Sequence, residues 1–478
     1  MKSEHPLRQI AGGLILVALI YAPLALGSIP PPLLLGLEGL LALATLFWAM
    51  DALLHRTLPR VPPLLGVCCG WLLLQGWGMA WNARSVFTPP GFILTLTSPL
   101  PNAPGAIERA IAVHAMLSLT SVLAALIVVT DLAQDPVWRT RLLWAMAWTG
   151  ACFSVFGLAQ KAELVHFVSA QMNRYEGDYF STYNYHANAG AFLNLVLPAI
   201  GSLLFVAQAE KHALARRLLL GGLFVCCLVA ALVNTSRGAQ AITVVLLIGL
   251  GIWVGLRLAR AEGRRARKVR MALAGGCFAC LVGGGLLVPH LGRVVQKWEQ
   301  LPQVLTGDSG RMQVWPIAAS MARQSGPLGQ GPGAFKLLLP RSPLLTNAFY
   351  SRWIIQMPIP GGPTSMWSQA HEDYLQTLIE FGWLGSLAAG TILFGGIACL
   401  WRAVLRDRVR PSSLVYVGIL AALLAVALHA TFDFPLQLVS LQLYVAAYLG
   451  IAWATSSPKQ ATELHNGEVA SHNAAHEA

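Results

Sequence analysis

The stretch AHEDYLQTLIEFGWLG, Ala370–Gly385, decides how this chain is read. It opens with a histidine and two acids, then turns apolar around an isolated Glu380, and the apolar character runs on to about residue 400. A polar start followed by such a run is a chain re-entering a membrane from water. His371 then sits at the boundary, and on a helix rising 1.5 Å per residue Glu380 lies ~13 Å deeper. A carboxylate at that depth is functional or tightly paired. Helical spacing predicts His371, Tyr374, Leu375 and Leu378 on one face and Glu372, Gln376 and Glu380 on another.

The whole chain fits this environment. It has 478 residues, 55% hydrophobic and 11% charged, with a mean hydropathy of +0.58. A soluble domain carries about 25% charged residues. The formal charge of +12 does not point to nucleic acid, because the basic residues lie in short loops between apolar runs. All eight cysteines fall inside apolar runs. Cys277 and Cys280 have CxxC spacing without a second ligand pair, and the tail histidines His465, His472 and His476 are scattered, so no metal site is expected.

We expect an all-α polytopic membrane protein with about twelve transmembrane helices, one large external loop lying between the ninth and tenth. The spans are placed near 9–27, 33–54, 62–80, 109–130, 141–160, 186–207, 217–234, 238–257, 271–289, 372–400, 412–430 and 436–455. One set of loops is basic: His55/Arg56/Arg60, Arg139/Arg141, Lys211/Arg216/Arg217, Arg257–Arg270 and Arg402–Arg410. The other set, 28–32, 81–108, 161–185, 235–237, 290–370 and 431–435, is longer or poor in charge. The positive-inside bias assigns the first set, and both termini, to the cytoplasm. The chain thus divides into N-terminal helices (1–185), helices with an intramembrane arginine (186–289), an external loop (290–370), C-terminal helices (371–455) and a polar cytoplasmic tail (456–478) whose composition predicts disorder.

The 290–370 loop is too long for a passive connector. Arg311–Met321 predicts a short amphipathic helix, and the Gly-Pro run 326–333 predicts a turn without the Lys-Ser/Thr of a phosphate loop. Arg237, in Asn-Thr-Ser-Arg-Gly between two apolar runs, has no free loop around it. Its guanidinium either grips a pyrophosphate-type anion or reaches lipid headgroups. Arg311 stands at the start of the loop helix, where backbone amides favour an anion. His371, neutral at the boundary, can take a proton from a hydroxyl. Trp353, Trp367, Phe349 and Tyr350 can stack on sugar rings or form an interfacial belt. His429 and Asp433 close another span on the external side, where they join the site or cap a helix end.

Three pieces, in order and on one side, resemble the O-antigen ligase and O-antigen polymerase superfamily. They are Ser236-Arg237-Gly238; Arg311 with the following glycines and Phe335; and His371, Glu372, Asp373, Tyr374, Glu380, Gly382 and Gly385. Tyr183–Asn188 resembles the family's polar, asparagine-bearing opening of a span. The acidic Glu372-Asp373 pair departs from the asparagine or serine common in ligases. The resemblance implies His371 as the catalytic residue, with Arg237, Arg311, His186, Asn188 and Tyr374 binding substrate; Arg341 and Arg352 of the external loop are further substrate-binding candidates. It also implies no cofactor, no metal and no nucleic acid. The implied protein is a bacterial inner-membrane, inverting, metal-independent glycosyltransferase with a periplasmic active site. It takes a glycan from an undecaprenyl-pyrophosphate carrier, among membrane lipids, to a lipid A-core or other glycan acceptor. A polymerase, a protein O-oligosaccharyltransferase and a non-enzymatic polysaccharide transporter stand as alternatives.

Overall fold

The structure, a computed structural model, describes residues 5–88, 92–165, 179–259, 292–303, 310–345, 367–406 and 412–456. Its helices are α1 (Pro6–Leu24), α2 (Pro31–Leu54), α3 (Pro63–Trp81), α4 (Arg109–Leu132), α5 (Pro136–Lys161), α6 (His186–Ala209), α7 (Leu214–Val233), α8 (Arg237–Ala259), α9 (Gly292–Glu299), α10 (Gly310–Gln324), α11 (Phe335–Leu338), α12 (Asp373–Arg406), α13 (Ser412–His429) and α14 (Val439–Ala454). Several begin on local signals. Proline stands in the first turn of α1, α2, α3 and α5, where its missing N–H has no partner to lose. Glu108 caps α4 by accepting from Ala110 and Ile111.

Among the described residues, eight helices are long and apolar enough to cross a membrane. Shorter apolar helices cover Arg237–Trp253, Ser413–His429 and Val439–Ala454. Eleven of the expected spans therefore carry apolar helix; the twelfth, 271–289, lies outside the described residues. The chain is a multi-pass membrane protein. Its all-α expectation needs one correction: Ser85–Thr88 (β1) and Phe92–Thr95 (β2) pair antiparallel, Val86 opposite Leu94. Both are short runs of β-branched and aromatic residues on either side of Pro-Pro-Gly, which favours a hairpin over a helix.

The interior is built around α6 and α14, which are almost wholly buried. Close approach comes from small residues: a Cβ on Gly418 of α13 would lie 2.5 Å from the Pro198 carbonyl of α6, and one on Gly450 of α14 would lie 2.6 Å from Val129 of α4. Polar groups of α14 reach main-chain carbonyls of its neighbours. Tyr444 Oη donates to Leu19 at 2.9 Å, Tyr448 Oη to Leu195 at 2.7 Å and Trp453 Nε1 to Ile392 at 3.0 Å. Outward faces carry Val17, Leu35, Val67, Leu74, Leu218 and Ile248, as lipid contact requires.

The loops segregate by end. The charge-poor ones meet at one end of the bundle: Thr182 Oγ1 donates to Pro23, Ala106 N to Met79, Asn234 Nδ2 to His186, and Asp373 N to Ala430. The basic ones meet at the other: Arg8 pairs with Asp131 at 3.0 Å, Arg60 N donates to the same carboxylate, and Arg139 donates to Tyr416.

The signature stretch departs from one continuous helix. Helix α12 begins at Asp373, not His371, which has φ 53°, so His371 is not on the predicted face with Tyr374 and Leu378. Glu372 precedes the helix and its side chain accepts from Leu375 N, a capping geometry that takes it out of helical spacing. The helix then breaks at Gly382 (φ 63°, ψ −170°), a conformation open to glycine. The Gly-Pro turn docks against this break. Gln330 N and Gly331 N donate to the carbonyls of Ile379 and Glu380, while Trp383 N and Leu384 N donate to those of Gly326 and Pro327. Gln75 Nε2 bridges the Phe381 and Leu328 carbonyls at 2.6 and 2.9 Å. Glu380 is buried and accepts from Gly333 N at 2.9 Å, Gln376 Nε2 at 3.2 Å and Phe335 N at 3.4 Å. The isolated carboxylate is thus tightly paired, clamping the loop onto the helix.

Candidate active site

His371 is held from three directions at the charge-poor end. Its carbonyl accepts from Trp315 Nε1 of α10 at 3.1 Å. Its ring meets Trp367 and Phe434 edge-on, with centroids at 4.5 and 4.6 Å. Its Nδ1 lies 3.1 Å from Asp433 Oδ1. His371 keeps 14% of its side chain exposed against 3% for Asp433, so the imidazole is the reachable member of the pair.

Asp433 also accepts from Arg311, at 3.0 Å through Oδ2. Arg311 donates further to the Phe432 carbonyl and to Tyr185 Oη, whose ring stacks on Phe434 at 5.5 Å. Burial alone would raise the Asp433 carboxyl, but Arg311 and His371 outweigh it and hold the group well below the usual carboxylate range. Burial alone would lower the Arg311 guanidinium; Tyr185 and Asp433 raise it instead. His371 moves down from its ordinary value because burial outweighs the hydrogen bond and charge of Asp433. An ionised Asp433 can only accept, so Nδ1 of a neutral His371 carries the proton and Nε2 presents the lone pair.

Arg237 opens α8 on the same end. Ser236 Oγ caps the helix by accepting from Ala239 N, and Asn234 Oδ1 accepts from Ser236 N. Arg237 is half-buried and donates to the Lys297 carbonyl at 2.7 Å. The neighbouring Gly238 abuts Phe432, whose carbonyl Arg311 holds, so the two arginines flank one residue. Two cations held close together suit a divalent anion.

The other candidates divide. His186, half-buried, accepts through its carbonyl from Asn234 and packs on Tyr185 at 4.9 Å, at the edge of the cluster. Asn188 is buried inside α6. Tyr374 donates to the Ala427 carbonyl at 2.7 Å and stacks on Phe394, joining α12 to α13. Arg341 is exposed at the end of a 3₁₀ turn, with no bond to His371, Arg311 or Asp433 among the described residues. Arg352, with Phe349, Tyr350 and Trp353, lies outside the described residues. Tyr185 and Phe434 were not anticipated as site residues; the aromatic residue beside His186 and the one after Asp433 were the available signals.

The remaining acids each have backbone or amide partners. Asp373 accepts from Leu436 N at 2.9 Å and Gln437 Nε2 at 3.0 Å, and Glu372 is occupied at the helix start. Beside them, a cavity of about 580 Å³ opens between α2, α3, α4, α12 and α14. Lys336, Gln369, Gln376 and Glu380 line its polar part, and Leu119, Val122, Leu123, Leu393 and Leu449 its apolar depth.

Residues 222–390 match the family profile described as O-antigen ligase. This segment is similar to the O-antigen ligase family. It carries Arg237, Arg311, the glycine turn, His371 and the α12 break, and stops short of His186, Asn188 and Asp433. A search of curated proteins returned no match.

Proposed function

We propose that the protein is a glycosyltransferase that moves a glycan from an undecaprenyl-pyrophosphate carrier to a sugar hydroxyl, in the manner of an O-antigen ligase, on the external face of a bacterial inner membrane. The single observation that carries this is the Arg311–Asp433–His371 chain with Arg237 beside it. A proton acceptor and two guanidiniums stand where a membrane-bound substrate can present its headgroup.

His371 Nε2 takes the proton from the acceptor hydroxyl as its oxygen attacks the anomeric carbon. The bond from that carbon to the pyrophosphate oxygen breaks, and configuration inverts. Arg237 and Arg311 stabilise the charge that develops on the leaving pyrophosphate. Asp433 fixes the imidazole tautomer and supports the imidazolium. The carrier linkage supplies the driving force, so no nucleotide enters. The cavity, with a polar rim and apolar depth, suits the lipid portion of an amphiphilic substrate.

The test is a reconstituted transfer assay with donor binding measured separately. His371→Ala is expected to lose about 10²–10⁴-fold in turnover while binding the lipid-linked donor nearly as well as the parent. Loss of donor binding in step with activity would make His371 a pyrophosphate ligand. Normal turnover would remove it from the chemistry.

A further inference from the structure

The opposite end of the bundle holds a second cluster that the transfer chemistry does not use. His5 precedes α1, Asp51 lies in the last turn of α2 and His55 follows that helix. Helix α1 is 19 residues long, and Pro23 in its last turn accepts from Thr182 at the end of the bundle that holds His371, which places His5 about 28 Å from that end along the helix axis. Asp51 Oδ2 lies 3.3 Å from His5 Nδ1 and Asp51 Oδ1 lies 3.4 Å from His55 Nδ1. One ligand atom from each residue falls within 4.8 Å of the others. The two rings face each other edge-on at 4.3 Å.

We propose that His5, Asp51 and His55 bind one divalent first-row transition cation of zinc-like preference, clamping the start of α1 to the end of α2. Two imidazoles and a carboxylate are a donor set for such a cation, with a fourth position left for water. The spacing is compatible: each imidazole faces its own oxygen of Asp51 at 3.3 and 3.4 Å, longer than the roughly 2.7–2.9 Å of a charge-assisted hydrogen bond, and one ligand atom of each residue lies within 4.8 Å of the others, so a small adjustment brings all three onto one cation. His55 closes α2 four residues after Asp51, and its ring comes back over the last turn to the Asp51 side chain. Asp51 is buried, and its ion pairs are with these two histidines. The site also lies at the C-terminal end of α2, where backbone carbonyls favour a cation. His55 Nδ1 has one competing contact, 2.9 Å from the Asp51 carbonyl oxygen. His55 is exposed, so its ring is free to turn that lone pair to the metal. The clamp is independent of the glycan-transfer reading.

The experiment uses the full chain in detergent, purified without a histidine tag and stripped with chelator. His465→Ala, His472→Ala and His476→Ala silence the tail. Zn²⁺ is titrated against a chromophoric chelator, Co²⁺ absorption reports geometry, and thermal unfolding is followed with and without Zn²⁺. One equivalent is expected, with a tetrahedral Co²⁺ spectrum and a higher Tm. His5→Ala and Asp51→Asn should each weaken binding roughly tenfold or more and abolish the Tm rise. If either variant fails to fold, His55→Gln, at an exposed position, takes its place. Absence of a stoichiometric site in the parent, or unchanged affinity in the variants, overturns the proposal.

Discussion

Asp433→Asn separates an orienting carboxylate from a passive one. The substitution keeps the shape and removes the charge. An amide nitrogen facing His371 donates to Nδ1, which moves the imidazole proton to Nε2, the nitrogen that must accept. At 3.0 Å from Arg311, the lost attraction is about 5 kcal/mol gross at an effective dielectric of 20. Desolvation offsets part of that, and Arg311 keeps Tyr185, the Phe432 carbonyl and 32% exposure. The expected stability loss therefore sits at the low end of the roughly 3–5 kcal/mol seen when one partner of a buried pair is removed. Turnover should fall about 10²–10⁴-fold, as for a base in the wrong tautomer. The assay is single-turnover transfer in proteoliposomes, with a melt to confirm folding. In the parent, activity should be lost as pH falls through the His371 pKa, because the protonated ring cannot accept. Burial lowers that pKa, so the loss should centre below ~6.5. Turnover within about threefold of the parent in a folded Asp433→Asn protein would refute the reasoning.

Arg237→Lys should lose most activity although charge is kept, since an ammonium cannot grip two phosphate oxygens with a fixed fork; full activity would indicate headgroup contact. Gly382→Ala places a Cβ 2.5 Å from Gly329 N and Pro327 at φ 63°, so thermal unfolding should show a loss of a few kcal/mol and weaker transfer. In a cysteine-free background, Leu344→Cys, 56% exposed, should label with an impermeant reagent in spheroplasts, and Leu58→Cys, 91% exposed, should not.

The helices were legible because apolar length and loop charge are local properties. Arg311 and His371 were legible as a pair on one side, and α10 appeared where its apolar spacing placed it, with Val314, Ile317 and Ala318 buried. The start of α12 was not legible. Glu372 stands one residue before the helix, and nothing in Ala-His-Glu-Asp distinguishes a cap from a first turn. Glu380 reads from the sequence as needing a partner, but besides Gln376 those partners are amides of a loop 45 and 47 residues away. The role of Asp433 was open for the same reason: its bond to His371 spans 62 residues and its bond to Arg311 spans 122. The His5–Asp51–His55 cluster brings the residue before α1 onto the end of α2, a juxtaposition that spacing along one segment does not carry.

The site depends on α10 twice. Its first turn supplies Arg311, and Trp315, four residues later and therefore on the same side, holds the His371 carbonyl. His371 occupies the left-handed region, which a non-glycine residue adopts only when its surroundings fix it. Trp315 fixes its carbonyl, Asp433 fixes its ring, and the Asp373 N–Ala430 bond fixes the turn that follows. The proposed base and the proposed anion-binding arginine are therefore positioned by one loop helix, and that loop is locked to the membrane helices through the turn seated in the α12 break. Asp433 joins the two functions electrostatically, since Arg311 and His371 share its carboxylate. An anion that draws on Arg311 weakens that arginine's claim on Asp433 and leaves more of the negative charge to the imidazole. A bound pyrophosphate would thus strengthen the base at the step where a proton must be removed.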